Sequence, residues 1–218
     1  MGEKFKVEIW SDIACPFCYL GKRRFDSALA AFEHREKVEV AWKSFQLNPQ
    51  LKTDPTIRIH EYLVRAKGID VESAKQMNAR VSAMAAPDGL VYDFEKIIVA
   101  NTFDAHRLIQ FAKVQGLQDE AEERLFRAYF TEGRNVADHA TLVEVGREIG
   151  LDADALAQAL ASGAYADDVQ AEIDEARELG INGVPFFVFD RKYAVSGAQP
   201  AELFAQTLER AWSSRKSG

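Results

Sequence analysis

The chain has only two cysteines in 218 residues, Cys15 and Cys18, and they lie three positions apart. Residues 4–12 alternate and then fill with apolar side chains, a pattern that predicts a strand entering a core. Pro16 suits the first turn of a helix, because its missing N–H would be unpaired there anyway. The sequence therefore predicts a strand that runs directly into a Cys-x-x-Cys motif at the start of a helix.

This motif opens a predicted βαβ unit. Apolar residues at helical spacing predict a helix from Pro16 to about residue 34, and alternation around Val40 and Trp42 predicts a second strand over residues 38–47. Residues 52–163 instead show recurring helix starts and stops, with no clear strand. Their predicted helices cover residues 54–68, 70–85, 102–115, 119–131, 138–150 and 153–161, and residues 97–99 are ambiguous between strand and loop.

The C-terminal part returns to a sheet pattern. We predict a helix over residues 165–179, strands over 186–189 and 193–196, and a final helix over 200–212. Together these elements predict an α/β, thioredoxin-like fold, βαβ plus ββα, interrupted by a helical insertion. Residues 1–51 and 164–218 would be the two halves of the thioredoxin-like domain, and residues 52–163 the insertion.

Charge and composition limit the partners. The chain carries 27 basic and 34 acidic residues, a formal net charge of −7, which makes nucleic acid an unfavourable partner. It shows neither a membrane-spanning segment nor the pattern of a signal peptide after Met1, so we expect a cytoplasmic protein without a membrane partner. Two cysteines three apart close too short a loop to staple a fold.

Disulfide exchange needs two thiols that are close together but unequal. The N-terminus of a helix favours the thiolate form of the first cysteine, so we expect Cys15 to be the nucleophile and Cys18, one turn further in, to be the resolving thiol. Two packed, inert cysteines are one alternative, and a zinc site is another. A structural zinc site usually needs four ligands, and we expect no metal here. The four histidines are scattered over predicted helical segments: His34, His60, His106 and His139.

A second signal is the segment Gly183-Val184-Pro185-Phe186, in which a proline enters an apolar strand. Proline cannot donate to a β-ladder, so it indicates an edge, a bulge or a cis peptide. Taken alone, an ordinary proline at a strand entry explains the pattern equally well. Its place downstream of a strand–Cys-x-x-Cys–helix unit favours an active-site turn.

Three blocks of the chain, residues 11–21, 101–106 and 183–200, resemble the FrnE-like branch of the DsbA family. The resemblance is collinear over nearly the whole chain. It implies a thioredoxin fold with a helical insertion, thiol–disulfide oxidoreductase activity, and a cis Pro185 facing the dithiol of Cys15 and Cys18. The backbone of Val184 would then pair with an extended substrate strand.

The chain departs from better-known relatives at two points. Relatives that oxidise exported proteins have histidine at the position of Phe17 and carry a signal peptide. The hydroxychromene-carboxylate isomerases and kappa-class glutathione transferases generally have serine at the position of Cys15. The chain also lacks the second cysteine pair of some FrnE-like proteins, which excludes a relay through a second internal disulfide.

Further candidate residues follow from the same blocks. Asp12 either hydrogen-bonds near the dithiol or simply ends the strand. Phe17 either contacts substrate or packs against the insertion. Asn101, Thr102 and His106 match the family pattern and are candidates to line the cleft, although for Asn101 and Thr102 the pattern favours capping of the following helix.

We therefore predict a cytosolic dithiol–disulfide oxidoreductase that acts on a protein or small-molecule thiol or disulfide. We expect no bound cofactor, with glutathione or another low-molecular-weight thiol as a candidate co-substrate, and a homodimer is compatible with the sequence. A glutathione-dependent isomerase or transferase acting on an aromatic small molecule is the first alternative. A non-enzymatic peptide-binding module is the second.

Overall fold

A computed structural model describes residues 4–215 and contains a mixed four-stranded sheet in the order β2-β1-β3-β4. Strands β1 and β2 pair in parallel, while β1–β3 and β3–β4 pair antiparallel. This is the βαβ plus ββα arrangement predicted from the sequence. The strands are β1 (Phe5–Ser11), β2 (Val38–Ser44), β3 (Phe186–Phe189) and β4 (Tyr193–Ser196).

Two helices cover one face of this sheet. Helix α1 (Pro16–Ala31) connects β1 to β2, and α9 (Ala201–Arg215) packs beside it. Phe25 of α1 contacts Phe187 and Phe204 at ring-centroid distances of 5.5 and 5.9 Å. The apolar side chains of β1, β3, α1 and α9 thus form one buried layer, which fixes the position at which α1 starts.

Seven α-helices lie between β2 and β3. They are α2 (Ile59–Lys67), α3 (Val71–Ala85), α4 (Phe103–Val114), α5 (Gln118–Phe130), α6 (His139–Glu148), α7 (Ala153–Ser162) and α8 (Ala166–Glu178). Their core is continuous with the start of α1, where the Tyr19 ring stacks on Phe126 at 4.9 Å. This core contains residues from both sides of the predicted boundary at 51/52. The division into domains at 51/52 and 163/164 stays a prediction.

Some element boundaries differ from those predicted. Helix α1 ends at Ala31 instead of residue 34, since Phe32 takes an extended backbone and packs against Trp212. Helix α2 begins at Ile59 instead of residue 54, because the Asp54 carboxylate accepts hydrogen bonds from the backbone and hydroxyl of Thr56 and closes a turn.

The second strand also ends early, at Ser44 instead of residue 47. Beyond Ser44 one backbone hydrogen bond to β1 remains, from the Phe45 N–H to the Ser11 carbonyl at 3.0 Å, and the Leu47 N–H then donates to Asp12 at 2.7 Å. The ambiguous segment 97–99 contributes only one isolated bridge, between Arg58 and Ile98. None of the helices in residues 4–215 has the length and apolar character required to cross a membrane.

Candidate active site

Strand β1 delivers Cys15 to the N-terminus of α1. The Cys15 N–H donates to the Asp12 carbonyl at 2.9 Å, and Cys15 keeps an extended backbone as the residue that caps the helix, with Pro16 in the first turn. Both cysteines are unbonded thiols, and they lie 3.5 Å apart. Cys15 is 4% exposed and Cys18 is completely buried. The two thiols are therefore adjacent but differ in their access to solvent.

Burial has a direct electrostatic effect on Cys18. Loss of hydration raises the pKa of the Cys18 thiol well above its usual value, and the neighbouring Cys15 raises it further. Cys18 is therefore held as a protonated thiol near neutral pH. Cys15, by contrast, caps the N-terminus of α1 and keeps 4% of its surface exposed. The unequal pair that disulfide exchange requires is thus present.

A cis peptide between Val184 and Pro185 faces the dithiol. The Cys15 thiol lies in hydrogen-bonding contact with the Val184 carbonyl, at 3.6 Å from Sγ to the oxygen. The Gly197 N–H, just after β4, donates to the Pro185 carbonyl at 2.8 Å and so stabilises the turn.

Helix α1 approaches the same turn through Gly21. A Cβ atom at Gly21 would lie 2.9 Å from Cγ of Pro185, closer than such atoms come in practice. The glycine therefore permits the close contact between α1 and the proline turn that keeps Cys15 and Val184 together.

Asp12 joins three segments of the chain beside the dithiol. Its buried carboxylate accepts hydrogen bonds from the Thr102 hydroxyl at 2.7 Å, from the Leu47 N–H at 2.7 Å and from the Ala14 N–H at 3.2 Å. Asp12 therefore makes hydrogen bonds close to the dithiol, and it also directly follows the last residue of β1, Ser11.

The two remaining polar candidates lie outside the cleft lining. Asn101 braces the chain, since its side chain accepts from the Phe103 N–H at 2.9 Å and donates to the Leu51 carbonyl at 2.9 Å. His106 is buried, with Nε2 at 3.6 Å from the Asp12 carboxylate. Burial alone would lower the pKa of His106, but Asp12 and two nearby glutamates outweigh it and raise that pKa. Thr102, by contrast, reaches the cleft.

A cavity of about 480 Å³ opens beside Cys15, between the dithiol and helices α2 and α3. Phe17 lines it and is 39% exposed. The rest of the lining is mostly apolar and includes Leu47, Leu63, Met77, Val81, Phe94 and Ile97. Its polar members include Asp12, Asn48, Tyr62, Lys67, Asn78 and Thr102. A site that joins a reactive sulfur to an apolar cavity can bind an organic group next to the reacting atom.

A buried glutamate beside Ser11 and His106 was missed by the sequence analysis. Glu122 on α5 is 1% exposed, and burial raises its pKa to about 7, an effect that Ser11 and His106 only partly offset. Glu122 precedes Leu125 and Phe126 by three and four residues, which puts it on the apolar face of α5. This spacing could have indicated that Glu122 is buried, because an acidic residue on the apolar face of a helix is buried together with that face. Within residues 4–215, no group of three or more His, Cys, Asp or Glu side chains is arranged to hold a metal.

A strand–Cys-x-x-Cys–helix unit with unequal thiols, opposed by a cis-proline turn in a thioredoxin-type sheet, defines a thiol–disulfide oxidoreductase. The family model described as the DSBA-like thioredoxin domain matches residues 6–209. The chain therefore belongs to the DSBA-like thioredoxin family, and the predictions of this fold and enzyme class are confirmed.

Two solved structures and one curated protein illustrate the similarity. The probable DsbA oxidoreductase SCO1869 from Streptomyces coelicolor shares 45% identity at a TM-score of 0.90, over 96% of this chain and 90% of that one. The uncharacterized protein YwbO of Bacillus subtilis (strain 168) is 27% identical over 93% of this chain and 94% of its own length. The cytosolic disulfide reductase DsbM from Pseudomonas aeruginosa is 19% identical at a TM-score of 0.64, covering 94% and 97%, and shares the fold.

Proposed function

We propose that the protein reduces disulfides through a mixed disulfide on Cys15. The Cys15 thiolate attacks one sulfur of R–S–S–R′, forms a Cys15–S–S–R bond and releases R′–S⁻. The Cys18 thiol then loses its proton and attacks the Cys15 sulfur, which releases R–S⁻ and leaves a Cys15–Cys18 disulfide. The observation that carries the proposal is the inequality of the thiols, one capping a helix beside a cavity and the other completely buried.

The position of the cis-proline turn supports the same chemistry. The Val184 carbonyl contacts the Cys15 thiol, which supports a role for the backbone of Val184 in aligning an extended peptide or disulfide substrate beside the sulfur. We place the protein in the FrnE-like branch and in the cytoplasm. Two observations favour this assignment. The chain has Phe17 where relatives that oxidise exported proteins have histidine, and its fold is similar to that of a cytosolic disulfide reductase.

Trapping tests the mechanism. A Cys18→Ser variant cannot resolve the mixed disulfide, so we expect it to accumulate adducts in a cell lysate that dithiothreitol releases. The matched control is the Cys15→Ser, Cys18→Ser double variant, which has no nucleophile. Equal and negligible capture by both variants under mildly oxidising conditions would contradict the mixed-disulfide mechanism.

A glutathione-dependent isomerase is the second candidate, and the cavity beside Cys15 is the observation that favours it. The chain resembles a 2-hydroxychromene-2-carboxylate isomerase in fold, with a TM-score of 0.70 and 14% identity over 97% of this chain and 98% of that one. Cys15→Ser separates the two functions, since it abolishes disulfide reduction but leaves isomerase chemistry open. A peptide-binding module without redox activity would instead keep its partners in the double variant.

A further inference from the structure

The cavity beside Cys15 is also the route to the reactive sulfur. Cys15 is 4% exposed and is one of the residues that line the cavity. Val184 and Pro185, which would align a peptide strand, are not part of the lining. A peptide backbone paired with Val184 would therefore lie outside this lining, and the cavity is a separate binding surface next to the same sulfur.

The size of the cavity fits a small organic molecule. Its volume of about 480 Å³ falls within the ~300–1,000 Å³ range that is typical of small-molecule sites. Its walls come from the helices between β2 and β3, through Leu63 of α2 and Met77 and Val81 of α3, and from Phe94 and Ile97 in the segment that follows. The ligand would thus lie between these helices and the dithiol.

The polarity of the walls narrows the ligand further. Among the described residues of the lining, Lys67 is the one cationic side chain and Asp12 the one anionic side chain. The Asp12 carboxylate already accepts three hydrogen bonds. Glutathione carries two carboxylates and an ammonium group. The lining offers one cation, Lys67, and the uncharged polar groups of Asn48, Tyr62 and Asn78, so at least one of these charges would be buried without an oppositely charged partner, which is unfavourable. Transfer of an apolar group from water to these mostly apolar walls is favourable, because it lowers the free energy.

We propose that the substrate is a low-molecular-weight disulfide whose thiol half carries an apolar, ring-sized group. This inference rests on the proposed mixed-disulfide function and names its substrate class. The apolar group occupies the cavity and places the disulfide next to the Cys15 sulfur. Reduced Cys15 and Cys18 are oxidised to a disulfide, and the substrate R–S–S–R accepts their two electrons and two protons to leave as two R–SH.

A single-turnover experiment tests the substrate class. Reduced protein, freed of reductant, is mixed with bis(2-phenylethyl) disulfide, bis(2-hydroxyethyl) disulfide or glutathione disulfide at a fixed cosolvent level. Each rate is divided by the rate of the same disulfide with dithiothreitol, so that intrinsic reactivity cancels. We expect the phenylethyl compound to exceed the other two by about a hundredfold, the scale on which apolar pockets discriminate.

Two methionines on α3 supply a matched pair of variants. Met77 lines the cavity and is half-buried, whereas Met84 on the same helix is exposed and lies outside the lining. Met77→Glu should lower the ratio of the phenylethyl to the hydroxyethyl rate about tenfold, and Met84→Glu should leave this ratio unchanged.

Equal normalised rates for the three disulfides would overturn the proposal, and so would identical ratios in the two glutamate variants. A different result points to the function itself. If no disulfide reacts faster with the unaltered protein than with Cys15→Ser, then the mixed-disulfide function fails, and the substrate class fails with it.

Discussion

Glu122 makes the stability of this protein depend on pH in a predictable direction. Its carboxyl group is almost completely buried, and burial raises its pKa from 4.5 to about 7. Below pH 4.5 the group is protonated in both the folded and the unfolded chain. Between pH 4.5 and 7 the folded chain binds more protons than the unfolded chain, so the free energy of unfolding falls as the pH rises. At about 1.36 kcal/mol per pKa unit, the loss is about 3 kcal/mol.

Glu122→Gln removes this titration while keeping the size of the side chain. We expect the free energy of unfolding of the variant, minus that of the unaltered protein, to increase by about 3 kcal/mol between pH 4.5 and 8. The groups that face Glu122 are Ser11 on β1, Lys22 on α1, His106 on α4 and Asp119 on α5. They are present in both proteins, so the difference isolates Glu122 and its coupling to them.

Urea unfolding followed by tryptophan fluorescence measures the effect at several pH values, since the chain has three tryptophans. Glu120→Gln on the exposed side of the same helix is the matched control, because it makes the same substitution at a solvent-exposed position. A pH-independent difference for Glu122→Gln as well would refute the argument, because an unshifted carboxyl contributes no such slope.

Three further predictions concern the dithiol and its frame. At pH 7 iodoacetamide should modify Cys15 at least tenfold faster than Cys18, whose burial raises its pKa; mass spectrometry of the two peptides checks this, and equal rates would contradict it. Gly21→Val should destabilise the fold by roughly 1–3 kcal/mol, because its Cβ would press on Pro185; an unchanged Tm beside that of Gly183→Ala, which has open space, would show that the contact relaxes freely. Asp12→Ala should cost roughly 2–3 kcal/mol through three lost hydrogen bonds, and an unaltered urea midpoint would disprove this.

The reactive end of the site could be predicted from local sequence signals. The strand pattern before Cys15, the proline in the first turn of α1 and the apolar periodicity after it all act over a few residues. The Val184-Pro185 turn was equally visible, although its cis peptide was only one of three readings of the proline. Signals of this kind survive in the sequence because each depends on the geometry of one turn or one helix end.

Roles that depend on distant partners were less accessible. Asn101 and His106 are candidates for the cleft on sequence grounds, yet Asn101 braces a loop and His106 is buried against Asp12. Two of the three hydrogen bonds that the Asp12 carboxylate accepts come from Leu47 and Thr102, which lie 35 and 90 positions away in the chain. No local pattern indicates such pairings, because each partner belongs to a different element of the fold.

The sequence by itself determined the dithiol, its place at the head of a helix and the α/β order of the elements, since periodicity and helix-end chemistry are local. Only the tertiary structure decided which faces of the intervening helices meet the dithiol. That packing buries Glu122 beside Ser11 and His106 and leaves a mostly apolar cavity beside Cys15. Periodicity shows that a helix has a face to bury, but the partner of that face is set by how the whole chain packs.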